Sequence, residues 1–132
     1  MRALLDTHVL VWWLEGSPRL STGLREVLDA AGPGAPLLVS GITLWEVATL
    51  VALGRLRMRI PLRDWLERAV APPLVELVGI SPAIAAEVAT LPDSFHRDPA
   101  DRILIATARV LGATLATQDE RIVASDLVAT VS

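Results

Sequence analysis

The sequence predicts an α/β fold with a central parallel sheet of about five strands and helices on both faces. Three observations carry this. Short, largely apolar runs recur at 3–5, 37–39, 75–80, 113–117 and 127–131, too short for helices and of the kind that a strand buried on both faces requires. Between them lie longer stretches with helix start and stop signals. The chain has 132 residues, enough for a real hydrophobic core, so one domain over 1–132 is expected.

The elements follow in order. Residues 3–5 form the first buried strand. Residues 7–14 (THVLVWWL) fit a helix or a strand, and periodicity alone does not decide. Ser17-Pro18 and Ser21 each offer a helix start, with the helix ending near Gly32 in the turn cluster Gly32-Pro33-Gly34-Ala35-Pro36. After the strand at 37–39, an apolar helix spans 42–53 and stops at Gly54. A shorter amphipathic helix spans 61–71, with Pro61 in its first position and Pro72-Pro73 behind it. The strand at 75–80 leads into a helix opened by Ser81-Pro82 and running to about Leu91. Asp98-Pro99-Ala100-Asp101 is a strong helix start, with an N-cap acid, Pro at the first position and an acid at the third. That helix runs to Leu111 and stops at Gly112. Strands at 113–117 and 127–131 complete the chain.

Composition narrows the function. The chain is 52% hydrophobic with a mean hydropathy of +0.49, yet no run reaches the roughly eighteen apolar residues of a membrane span. The excess apolar surface is therefore assigned to buried helices and a partner interface, with no membrane association. An acid at position 6 interrupts the N-terminus too early for a signal peptide, and a cytoplasmic location is expected. There is no Cys, which excludes disulfides and thiolate metal sites. All twelve basic residues are Arg, so a phosphate-binding P-loop and Schiff-base chemistry, which both need Lys, are excluded. With a net charge of −3, a polyanion has to be met by a local patch or through metal ions.

Four acids stand out on this map. Asp6 follows the first strand, Glu46 lies in the helix after the second, Asp101 opens its helix, and Asp119 follows the fourth strand. All four belong to the side where strands end, which is where doubly wound sheets keep their sites. Glu46 is the only charged residue between Ala30 and Gly54, and Asp6 is the only one between Arg2 and Glu15 when His8 is neutral. A lone carboxylate in such apolar surroundings is costly unless paired or metal-bound. Converging carboxylates raise one another's pKa, and a divalent cation relieves the repulsion. An oxygen-only donor set favours Mg²⁺ or Mn²⁺. Each acid also has a plain structural role open to it: Asp6 and Asp119 as caps, Asp98 as the N-cap, Asp101 as a first-turn acid, and Glu46 on an exposed stripe with Thr49.

At these residues the sequence resembles a family. Leu5-Asp6-Thr7-His8-Val9-Leu10-Val11-Trp12-Trp13-Leu14 is similar to the opening of PIN-domain proteins of the VapC toxin type. Leu44-Trp45-Glu46-Val47-Ala48 with Gly54-Arg55-Leu56, then His96-Arg97-Asp98-Pro99-Ala100-Asp101-Arg102-Ile103-Leu104-Ile105-Ala106, then Leu115-Ala116-Thr117-Gln118-Asp119, resemble the later motifs in order and spacing. The resemblance implies a three-layer α/β/α fold and Mg²⁺- or Mn²⁺-dependent endoribonuclease activity. It further implies a homodimer inhibited by a small cognate antitoxin. It makes Asp6, Glu46, Asp101 and Asp119 the metal-binding acids, with Thr7 and Thr117 in support. Gln118 stands where the family often carries a basic residue, a departure that bears on substrate contact.

The remaining conspicuous residues are assigned more plainly. Arg55, Arg57 and Arg59 alternate along one stretch and are candidates for holding the RNA backbone. His8 is expected to pack or cap beside Asp6; His96 precedes the Asp-Pro turn, where an RNA contact or no role is open to it, and neither is expected to be catalytic. Trp12, Trp13, Trp45 and Trp65 are expected in the core or an interface, although aromatic rings also stack on bases. Two other function classes stay open: phosphoryl transfer through an aspartyl-phosphate on Asp6, for which the usual Lys is missing, and an inactive PIN-like binding module.

Overall fold

The computed structural model describes residues 1–132. Its strands are β1 (Ala3–Leu5), β2 (Leu37–Ser40), β3 (Val75–Val78), β4 (Thr114–Ala116) and β5 (Thr130–Val131). They pair in the order β3-β2-β1-β4-β5, every pair parallel. The helices are α1 (Thr7–Leu14), α2 (Thr22–Asp29), α3 (Gly41–Ala52), α4 (Leu62–Ala69), α5 (Pro82–Val88), α6 (Pro99–Leu111) and α7 (Glu120–Ser125). The strand order reverses between β1 and β4, and a crevice opens at such a switch point beyond the strands' carboxyl ends.

The two faces of the sheet read directly from residue alternation. Ala3 and Leu5, Leu37 and Val39, and Ala116 point to one side, into a cluster with Val9 and Leu10 of α1, Leu24 and Leu28 of α2, and Trp65 and Ala69 of α4. Leu4, Leu38 and Leu115 point to the other, against Leu104, Ile105 and Ala108 of α6 and Ile122 of α7. This is the three-layer arrangement. Each fully buried Leu or Ile contributes about 1.5–3 kcal/mol, which is why strands of two to four residues suffice.

Several boundaries differ from the sequence expectation for identifiable reasons. The undecided stretch after β1 is helix α1. Ser21, not Ser17, caps α2, its side chain accepting from Leu24 N at 3.1 Å. That helix ends at Asp29, before the tight Gly32–Ala35 bridge. Pro61 is the residue before α4 rather than its first member. Helix α5 stops at Val88 because successive i→i−3 bonds from Ala89, Thr90 and Leu91 tighten the chain. β3 and β5 are shorter than expected, and α7 was not expected at all. No helix is long and apolar enough to cross a membrane.

Gly112 ends α6 in the left-handed region at φ +63, and a Cβ there would meet nothing within 4 Å. Gly112→Ala should therefore cost only the backbone strain, about 1 kcal/mol. A urea unfolding midpoint unchanged by the substitution would contradict the local geometry.

Candidate functional site

Asp6 is where the fold places a charge at the end of its central strand. Its backbone N–H donates to Ala116 O at 3.0 Å, continuing the β1–β4 pairing one residue past the strand. It precedes α1 in N-cap position, yet its side chain makes no capping bond. Instead Oδ2 accepts a 2.7 Å hydrogen bond from the Thr117 hydroxyl, which in turn accepts from Asp119 N at 3.0 Å. Thr117 thus ties the ends of β1 and β4 together through side chains. Thr7 and Thr117 are both fully buried, as is Thr43, whose hydroxyl accepts from Thr7 Oγ1 at 3.4 Å and joins α1 to α3.

The other acids gather around the same crevice. Asp6, Glu46, Asp98, Asp101 and Asp119 all line one cleft of about 390 Å³. Glu46 projects from α3 half-buried. Asp101 sits in the first turn of α6 with a carboxylate oxygen 2.6 Å from His96 Nε2. Asp98 caps α6 by accepting from Asp101 N at 3.1 Å, and its carboxylate also lines the cleft, a position the sequence reading had not assigned to it. Asp119 caps α7 by accepting from Arg121 N at 2.9 Å and pairs with the Arg121 guanidinium at 3.2 Å.

Their electrostatics divide in two. Burial pushes the Asp6 carboxyl above its ordinary range, partly opposed by the Thr117 hydrogen bond and nearby His8, with Asp119 adding repulsion. Burial also raises Glu46; the Thr7 hydroxyl offsets part of this, while Asp98, Asp101 and Asp6 push it further. Asp101 is raised by burial, eased by His96 and pushed again by Asp98 and Asp6. For Asp119 burial pulls upward, but the hydrogen bonds and charge of Arg121 outweigh it and the carboxyl ends below its ordinary range.

An oxygen-only set of carboxylates, three of them held against their charge by burial and by one another, suits a hard divalent cation. As the side chains are placed, no three converge on one ligating point. Asp119 is paired with Arg121 and Asp101 with His96. The residues fit the group in chemistry and in shared location.

The same cleft is lined by His8, Val9 and Trp12 of α1, with exposed Arg19 and Arg121 and half-buried Gln118. His8 is exposed and packs on Trp12 rather than capping beside Asp6. Arg55, Arg57 and Arg59 are exposed, alternating with half-buried Leu56, Met58 and Ile60, and none of the three lines the cleft. Among the tryptophans, Trp65 is buried and Trp12 and Trp13 pack half-buried on the core, but Trp45 is 57% exposed and is no core residue. The cleft arginines, Arg19 and Arg121, escaped the sequence reading. Both lie in loop or short-helix context with no charge run to mark them.

Comparison with known proteins agrees with this geometry. The PIN domain family model matches residues 3–126. Ribonuclease VapC22 of Mycobacterium tuberculosis is 39% identical over 119 residues, covering 90% of this chain and 88% of that protein. The structure of FitAcB from Neisseria gonorrhoeae superposes with a TM-score of 0.69 at 26% identity, over 98% of this chain and 96% of that one. VapBC2 from Rickettsia felis, bound to a DNA fragment from their promoter, has a TM-score of 0.74 over 99% and 98% of the two chains; at 14% identity it shows the fold alone.

The electrostatics predict a stability effect of definite sign. An acid whose folded pKa is raised binds more protons in the folded than in the unfolded state. Stability therefore falls as pH rises from the unfolded to the folded pKa, and above that window the penalty is complete. Asp6→Asn keeps an acceptor for Thr117 and removes the buried charge. Without divalent ions at neutral pH it should raise the melting temperature by a few degrees, since about 1 kcal/mol shifts a domain of this size by roughly 4 °C. A lowered melting temperature would mean that Asp6 is stabilised as a charge by the fold itself.

Proposed function

The chain belongs to the PIN-domain family, and from that premise we propose that it is a metal-dependent endoribonuclease, the toxin of a toxin–antitoxin pair, hydrolysing RNA phosphodiester bonds. The observation that carries the reading is the meeting of Asp6, Glu46, Asp101 and Asp119, drawn from four separate stretches of sequence, in one cleft at the switch point of the sheet.

In this reading Asp6, Asp101 and Asp119 would hold Mg²⁺ or Mn²⁺, with Glu46 as a further ligand or as the group that would orient a water. A bound divalent ion lowers the pKa of water and stabilises charge developing on a phosphodiester. The chain's own residues do the rest. Thr117 holds Asp6 by its hydroxyl, and Thr7 steadies the α1–α3 junction beside Glu46. Protein nucleophiles are not required. Arg121, which lines the cleft and pairs with Asp119, would also meet the anionic backbone, and Arg55, Arg57 and Arg59 would contact RNA outside the cleft.

The partner is a small antitoxin, and the chain pairs with a second copy. Supporting both is the apolar surface left open, with Leu14 on α1, Trp45 on α3 and Leu53 just after it, and Leu77 and Ile80 at the β3 edge all exposed.

The test is cleavage of a total RNA pool by purified protein freed of antitoxin, in Mg²⁺, Mn²⁺ or EDTA. Discrete products should require the metal. Thr117→Val should slow cleavage by roughly 10–100-fold as the loss of a ligand's supporting partner, and Asp6→Asn and Asp101→Asn should abolish it. A folded protein that cuts nothing and binds no metal would instead be an inactive binding module.

A further inference from the structure

Resting on the endoribonuclease reading, we propose that His8, Trp12 and Arg19 form a nucleotide subsite, in which a base beside the scissile bond stacks on the His8–Trp12 pair and its phosphate meets Arg19. Helix α1 spends Thr7, Val9, Leu10 and Val11 on the interior. His8 and Trp12, four residues apart, share the face that is left, and this face is a wall of the carboxylate cleft. Their ring centroids lie 5.7 Å apart with planes tilted by 50°. His8 is exposed, while Trp12 is half-buried, packed on the core along one side and open to the cleft on the other.

The tryptophans differ in how they are tied. Trp13 Nε1 donates to Asp29 at 3.2 Å and Trp65 Nε1 to Glu15 at 3.0 Å, so both are fixed structural pieces. The Trp12 indole N–H has no protein partner and is not a buried orphan. Carboxylate chemistry has no use for an indole in its wall, but a base does, because every base offers a π-face. Val9 and Trp12 are the only apolar members of this cleft, too few for a helix-binding groove.

Arg19 supplies the matching charge. Its side chain makes no ion pair or hydrogen bond, whereas its backbone is held firmly. Gln118 Nε2 donates to Arg19 O at 3.1 Å, and Gln118 Oε1 accepts from Ser21 N at 2.8 Å. Gln118, at the carboxyl end of β4, thus clamps the α1–α2 loop so that a free guanidinium stands at the rim. That makes Gln118 a positioning residue. In a chain of net charge −3, with five carboxylates in the cleft, an unpaired Arg at its edge is the natural contact for a phosphate.

The test measures binding of a labelled single-stranded RNA hexamer of mixed sequence, and of the same backbone made abasic, to the full chain carrying Asp6→Asn to prevent cleavage. His8→Ala and Trp12→Ala should weaken the mixed hexamer about tenfold each and leave the abasic one nearly unchanged. Trp12→Phe, which keeps the packing, should recover most of the loss. Arg19→Ala should weaken both oligomers and reduce the salt slope by about 0.7, and Trp45→Ala should change neither. Equal binding by all variants, equal loss of mixed and abasic RNA on His8→Ala or Trp12→Ala, or no binding of the hexamer at all would overturn the subsite. Failure of the wild-type chain to cleave RNA with metal, while the base-dependent binding persists, would remove the nuclease reading and leave the subsite standing.

Discussion

One hydrogen bond, from the Thr117 hydroxyl to Asp6, fixes what the rest of the site can be. It puts a carboxylate at the junction of the two central strands, where an apolar side chain would be more stable. Strand residues immediately before Asp6 and Thr117 are fully packed, Leu5 and Ala116 both at 0% exposure, so neither side chain can move far. The same hydroxyl accepts from Asp119 N, which sets the start of α7 and hence the direction from which Asp119 and Arg121 approach. A single threonine therefore places two carboxylates and one guanidinium. The fold tolerates the buried charge because two clusters of large apolar side chains, one on each face of the sheet, stabilise it independently of the cleft.

Charge is distributed to match. The acids of the cleft arrive from β1, α3, α6 and the end of β4, and only two are met by basic side chains, Asp101 by His96 and Asp119 by Arg121. Asp6 and Glu46 have no cationic side chain in contact. An excess of uncompensated carboxylate in a concave, partly buried place is unfavourable for a resting fold and useful for holding a cation. Free positive charge in the cleft is confined to Arg19, whose guanidinium pairs with none of the acids.

Much of this was legible in the sequence, for physical reasons. Asp6 and Glu46 declared themselves as single charges inside apolar runs, and Asp101 by its place in a helix start written in Asp98 and Pro99. The parallel sheet followed from unbroken apolar runs, since strands covered on both faces have no polar alternation to show. Boundaries blurred where local signals compete. β3 and β5 are the edge strands, paired on one side only, and apolar residues such as Ile80 and Leu127 lie beyond the pairing. α7, with six residues, is too short for periodicity to register. Arg19 and Gln118 meet across 99 positions, a relation that only the closed fold creates. The exposure of Trp45 was likewise hidden, because an apolar helix reads the same whether its outer face meets core or partner.

The central claim is that the cleft carboxylates are held in tension for a divalent ion. Calorimetric titration of the chain with Mn²⁺, repeated at mildly acidic pH in two buffers of different protonation enthalpy, tests it directly. Binding should occur, be lost in Asp6→Asn, and carry a buffer-dependent heat, because acids with raised pKa values release protons when the ion takes their place. No binding, or binding that Asp6→Asn leaves intact, would contradict the account.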